Sequence, residues 1–172
     1  MIDKIYLITH NKFKIKEFKK ILEPAIEVTP IDFDYIEPQE DSCEEVVKIS
    51  LKEAYENAKM ILGKKPEYPI IIEDSGFFIE KLEGFPGAYT APVYKKIGNK
   101  GLLKLMEDHI DDNNRKIFYK SFIGYFDGKD INIISGEEEG IMAFQEKGTN
   151  GWGQDPIFIP KENNPEQKTY GE

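Results

Sequence analysis

The chain has 172 residues, 40% of them hydrophobic and 12% aromatic, and 23 Lys and Arg against 32 Asp and Glu give it a formal charge of −9. That length and composition predict one self-standing globular domain with its own core and argue against a disordered chain. The acidic field opposes nucleic acid and anionic membrane surfaces, so no nucleic-acid or membrane partner is expected, and a polyanionic ligand must be met by locally placed lysines.

Cys43 is the one cysteine, which leaves no disulfide framework and fits a reducing compartment. No apolar run approaches the roughly 20 residues of a membrane span, and MIDKIYLITH is too short and too polar for a signal peptide. A cytoplasmic location is expected.

In chain order, Lys4 to Ile8 reads as a strand, and Thr9, His10 and Asn11 can turn the chain and cap a helix. Ile15, Phe18 and Leu22 recur at helical spacing until Pro24 ends the pattern. A strand from about Ile26 to Ile31 precedes an acidic loop with Glu37, Glu40 and Asp41. Ser42 and Glu45 form a capping box, Val47, Leu51, Ala54 and Ala58 line one face, and Gly63 gives a stop, which makes a helix of about twenty residues.

IIIED, Ile70 to Asp74, is a near-continuous apolar strand of the kind buried on both faces. The order βαβαβ argues for an α/β sheet. EGFPGAY is a turn-rich loop, and Asn99 to Asp108 reads as a short helix. Two long strands follow, joined at Asp127-Gly128 by a hairpin turn, so the sheet is expected to be mixed.

Two adjacent carboxylates at the end of a core strand suggest a metal site. Strand side chains alternate faces, so one of Glu73 and Asp74 does the chemistry and the other is a neighbour, provided the strand does not end between them. Mg²⁺ is commonly held by one or two carboxylates together with substrate phosphates. THNKFK supplies a helix N-terminus with free N–H groups and exposed first-turn lysines, a place for an anion. Lys48 and Lys52 share a face of the long helix. Trp152 among the glycines of GTNGWGQDPIF can stack on a base. His10, His109 and Cys43 have no zinc spacing, and with neither a G-x-S-x-G elbow nor a P-loop, Ser75 reads as a turn residue or phosphate contact.

In order and spacing, these segments resemble the inosine triphosphate pyrophosphatase family, the noncanonical purine nucleoside triphosphate pyrophosphatases, over about Lys4 to Glu172. The pattern T-G-N-x-x-K-x-x-E appears as Thr9, His10, Asn11, Lys14 and Glu17, the loop glutamate as Glu37 in IEPQ, and the strand-end signature as EDSGFF, followed by GFPGAY. The resemblance implies a single pyrophosphatase domain, a mixed central sheet flanked by helices, and two lobes with the nucleotide site in the cleft between them. It also implies a homodimer and Mg²⁺-dependent hydrolysis of ITP, XTP and their deoxy forms to the monophosphate and pyrophosphate. Roles then fall on Thr9, Asn11, Lys14, Lys52 and Ser75 at the phosphates, with Lys48 as the competing register for Lys52. Glu37 and Asp74 fall at the metal and the attacking water, and Trp152 and Asp155 at the base.

Four departures stand out. His10 replaces a glycine, Pro92 stands where many members carry arginine, Gln154 replaces an aromatic residue, and the S-H-R motif is absent from this sequence. From the last, the expectation is a C-terminal end truncated relative to the family, slow hydrolysis and poor selection of ITP over GTP. Two other readings remain open: a catalytically weak nucleotide-binding or regulatory relative, and a Maf-type pyrophosphatase with a different base preference.

Overall fold

The computed structural model describes residues 2–33, 38 and 40–172. The alternation of β-branched runs with helical stripes produces β1 (Lys4–Ile8), α1 (Lys12–Leu22), β2 (Glu27–Ile31), α2 (Cys43–Leu62) and β3 (Ile70–Ile79). Helical crossovers return the chain in the same direction. Accordingly β1 pairs in parallel with β2, Ile5 opposite Val28, and with β3, Tyr6 opposite Ile70. α2 starts where the Ser42 hydroxyl accepts the Glu45 N–H at 3.5 Å and stops at Gly63, whose φ of 66° only glycine adopts without strain. The Glu45 side chain turns instead to Lys48, 2.6 Å away.

β3 departs from expectation. The chain does not leave the strand after Asp74 to turn at Ser75 but continues as strand to Ile79. Gly76 serves a close approach: a Cβ there would lie 2.5 Å from the Gly87 carbonyl oxygen. Gly87 belongs to β4 (Pro86–Gly87), which pairs antiparallel with β3 and sets Phe77 opposite Gly87.

α3 spans Thr90–Leu105, with a break at Gly98 (φ 61°, ψ −171°), where a helix from Asn99 to Asp108 was expected. Its first part escapes a periodicity reading because Pro92 looks like a breaker, yet in a first turn the missing N–H has no partner to lose. β5 (Lys116–Phe126) and β6 (Ile131–Met142) are joined by the expected turn, in which Asp127 Oδ1 accepts from the N–H groups of Lys129 and Asp130, both at 2.9 Å. β7 (Phe158–Pro160), which was not expected, pairs antiparallel with β6. Among the described residues the sheet is mixed and seven-stranded, in the order β2-β1-β3-β5-β6-β7 with β4 on β3.

The chain divides into two compact units, Met1–Asp74 with Phe122–Ser135, and Ser75–Ser121 with Gly136–Glu172. In the first, strand alternation feeds two cores. Ile8, Ile70 and Ile72 meet Val47, Leu51, Ala54 and Ala58 of α2, while Ile5, Leu7 and Ile71 meet Ile15, Phe18 and Leu22 of α1. Gly124 lets α2 approach β5, since a Cβ there would sit 2.5 Å from Val47 Cγ1.

The second unit is built around Phe77, Ile79, Leu102, Met106, Ile117, Met142 and Phe158. Arg115, 2% exposed, crosses it and donates to the carbonyls of Met106, His109, Met142 and Ala143 at 2.8–3.0 Å. Burial lowers the pKa of its guanidinium, and the four acceptors satisfy a charge that would otherwise be costly to desolvate. Among the described residues, no helix is long and apolar enough to cross a membrane.

Candidate active site

In the first unit the end of β1 leads into a hydrogen-bonded turn. Thr9 Oγ1 accepts the Asn11 N–H at 3.1 Å, and the Asn11 side chain accepts from Phe13 and Lys14 at the start of α1, at 2.9 and 3.4 Å. Thr9 and Asn11 thus shape the turn from which the helix N-terminus is presented. His10 Nδ1 lies against Asp32 Oδ1. Lys14 reaches β3: its Nζ lies 2.7 Å from Glu73 Oε2 and donates to the Glu73 carbonyl oxygen at 3.1 Å. Sequence reasoning missed this pairing, because the two residues lie 59 positions apart.

The alternation that fills both cores continues into the charged middle of β3. Ile71 faces the α1 side and Ile72 the α2 side. Glu73 then pairs with Lys14 of α1, and Asp74 hydrogen-bonds with Cys43 at the start of α2. Cys43 is 2% exposed, and burial, reinforced by the Asp74 charge, pushes its thiol up to about 12. The thiol therefore stays protonated and donates to the carboxylate, which makes it neither a nucleophile nor a soft metal ligand at neutral pH.

Ser75 follows on the strand, half-buried. Lys48 is held by Glu44 and Glu45 of its own helix at 2.8 and 2.6 Å, whereas Lys52 stands exposed. Glu37 lies outside the described residues. Among the described residues no cluster of three or more metal-ligating side chains occurs.

In the second unit, the glycine loop from Gly148 to Asp155 closes on the Asp155 carboxylate. Oδ2 accepts the Trp152 N–H at 2.7 Å and Oδ1 accepts the Tyr119 hydroxyl at 3.1 Å. A Cβ on Gly151, at φ 72°, would fall 2.0 Å from that Oδ2, so the loop admits no side chain there. Burial above all, and then the Asp155 charge, raises the pKa of Tyr119 and keeps it a donor.

The Trp152 side chain is part of an exposed surface. Gln154, by contrast, is buried. Asn99, buried beside the Gly98 break, donates from Nδ2 to Glu146 Oε1 at 3.1 Å and to the Gly153 carbonyl at 3.0 Å. Neither Tyr119 nor Asn99, the latter read only as the start of a helix, was singled out in the sequence as a contact of this loop. The asparagine directly after a helix-breaking glycine was the available signal.

Fold and site together define an α/β protein that brings a helix N-terminus and its lysine against the third strand, within which two adjacent carboxylates face opposite sides. The chain belongs to the Ham1 family, whose model matches residues 5–172. It is 42% identical over 162 residues to a protein of Korarchaeum cryptofilum named dITP/XTP pyrophosphatase, covering 94% of this chain and 80% of the relative. A protein of the same name from Pyrococcus horikoshii is 42% identical over 171 residues, covering 98% of this chain and 84% of the relative. Among solved structures, a HAM1 protein from Coxiella burnetii shares the fold with a TM-score of 0.78 at 24% identity, over 100% of this chain and 87% of that one. The Staphylococcus aureus Ham1 protein gives 0.71 at 27% identity, over 98% and 85%.

Proposed function

We propose that this chain hydrolyses noncanonical purine nucleoside triphosphates, namely ITP, XTP and their deoxy forms, to the monophosphate and pyrophosphate, and so removes them from the nucleotide pool. The substrate class is supported by the relatives named dITP/XTP pyrophosphatase. The chemistry is supported by one observation: Lys14, in the first turn of α1, reaches β3 at Glu73, the strand neighbour of Asp74, so that a cationic group for a polyphosphate and a carboxylate for water lie on adjoining elements.

The reading assigns the phosphates to the α1 N-terminus and Lys14, with Thr9 and Asn11 shaping the turn and Ser75 and Lys52 as further contacts. Asp74 orients the attacking water and takes its proton, work that typically contributes 10² to 10⁴ in rate. Trp152 stacks on the base. Asp155, although each oxygen already accepts one hydrogen bond, retains acceptor capacity for the purine edge.

The donor set fits Mg²⁺. Asp74 offers hard carboxylate oxygens and the nearby Cys43 sulfur stays protonated, so the site disfavours a soft metal and suits an ion that completes its shell with water and phosphate. Asp74 and Glu37 would hold it. When bound, the cation supplies charge neutralisation and polarises the phosphoryl oxygens. We assign the working form to a homodimer in the cytoplasm.

The test is a product assay with ITP, XTP and GTP in the presence of Mg²⁺. Pyrophosphate released from ITP or XTP supports this function. Orthophosphate, or no turnover of any of the three, removes it.

A further inference from the structure

The pairing of Lys14 with Glu73 is not what helix stability favours. A helix N-terminus carries partial positive charge and prefers acidic residues in its first turn. α1 has none there and carries Lys12 and Lys14 instead. Lys14 is fixed by two acceptors on one strand residue, the Glu73 carboxylate at 2.7 Å and the Glu73 carbonyl oxygen at 3.1 Å. An ammonium has three N–H donors, so with two directed at Glu73 the direction of the third is set. The side chains are 17% and 8% exposed, and such a shielded pair is screened by salt far less than a surface pair.

We propose that Glu73 is the positioning residue for Lys14, holding the ammonium so that its third N–H is left for an anionic group at the α1 N-terminus, and that Glu73 is not itself a ligand of the cation. The two adjacent carboxylates divide the work by strand alternation. Asp74, on the α2 side, acts on water and cation, and Glu73, on the α1 side, acts only through Lys14. This inference rests on the phosphate-binding reading above.

Inorganic tripolyphosphate is a probe that carries no base. Its Kd, the KM and kcat for ITP, and the acylation rate of the Lys14 amine, read by peptide mass spectrometry, are to be compared in the wild type, Glu73→Gln, Glu73→Asp, Lys14→Ala and the Glu73→Gln/Lys14→Ala double variant. Expected in Glu73→Gln are a Kd and a KM raised about tenfold, a kcat within about threefold of wild type, and faster Lys14 acylation. Glu73→Asp should recover part of the affinity. In the double variant, the losses should not exceed those of Lys14→Ala alone, the mark of residues that act as a unit.

Additive losses would overturn the proposal, because Glu73 would then act apart from Lys14. Tighter tripolyphosphate binding in Glu73→Gln would overturn it too, by making Glu73 a competitor for the ammonium. So would a kcat loss in Glu73→Gln equal to that of Asp74→Asn, which would place Glu73 in the chemistry. If the wild type binds tripolyphosphate but yields no pyrophosphate from ITP, the functional reading fails while the tripolyphosphate cycle still decides the role of Glu73. If the wild type does not bind tripolyphosphate, the proposal falls and the pair is structural.

Discussion

The Tyr119 hydroxyl donates to Asp155 Oδ1 at 3.1 Å, and so ties β5 to the glycine loop that carries Trp152. A hydrogen bond to a charged acceptor is worth about 1.5–3 kcal/mol. Tyr119→Phe is therefore expected to lower stability by about that amount and to raise the KM for ITP more than it lowers kcat, since the loop loses a side-chain anchor. Chemical denaturation and steady-state kinetics on one preparation check this. An unchanged KM would detach the loop from base binding.

Asp74→Asn keeps the shape of the side chain and removes its charge. Turnover of ITP should fall by about 10² to 10⁴ with the fold retained, as read by kcat and thermal unfolding. A loss smaller than about threefold would take Asp74 out of the mechanism on that scale.

Lys14→Ala tests a point on which geometry revises the sequence reading. An exposed first-turn lysine would affect KM and leave stability alone, but this one is paired with a carboxylate that is 8% exposed. Removing one partner of a fully buried pair costs about 3–5 kcal/mol. Partial exposure puts the expected loss below that range and still measurable, together with a raised KM for ITP. Unchanged stability would show the pair to be loosely held in solution.

The Cys43 thiol gives a pH prediction. Its folded pKa is raised from an ordinary value of 9.0 to about 12 by burial and by Asp74. Above the ordinary value the unfolded chain has lost a proton that the folded chain keeps, so the folded state binds more protons and stability falls as pH rises between those two values. In chelator-treated protein, reaction with an aromatic disulfide reagent at about pH 9 should be slow in the native state and fast after unfolding. Replacing Cys43 with alanine should flatten the alkaline decline. A native thiol that reacts as fast as the unfolded one would refute the buried thiol–carboxylate contact.

Gly76→Ala places a Cβ 2.5 Å from the Gly87 carbonyl oxygen and 2.8 Å from the Phe78 ring. Overpacking of this kind costs about 1–3 kcal/mol, and here a backbone atom stands in the way. A drop in melting temperature, with the far-ultraviolet spectrum kept, is the expected result. An unaffected melting temperature would mean that β4 shifts away without penalty.

The sequence by itself determined what depends on near neighbours. The alternation in IIIED, the stripe of Val47, Leu51, Ala54 and Ala58, the Ser42 and Gly63 ends of α2 and the Asp127-Gly128 turn all follow from side-chain periodicity and local hydrogen bonding, which act within a few residues. The same short-range signals, read as ordered motifs, were enough to place the family. Where they misled, at Ser75 in β3, a residue type common in turns sits inside a strand, and only its distant surroundings told the two apart.

Tertiary structure decided which partner each charged or polar side chain meets. Glu73 and Asp74 are adjacent in the chain, yet one holds Lys14 and the other Cys43. Asp155 is claimed by Tyr119, and Arg115 by four carbonyls from separate segments. Spacing fixes the face from which a side chain leaves its element. What that face meets depends on how helices and strands far apart in sequence pack, and that is set by the burial of the whole core rather than by any local pattern.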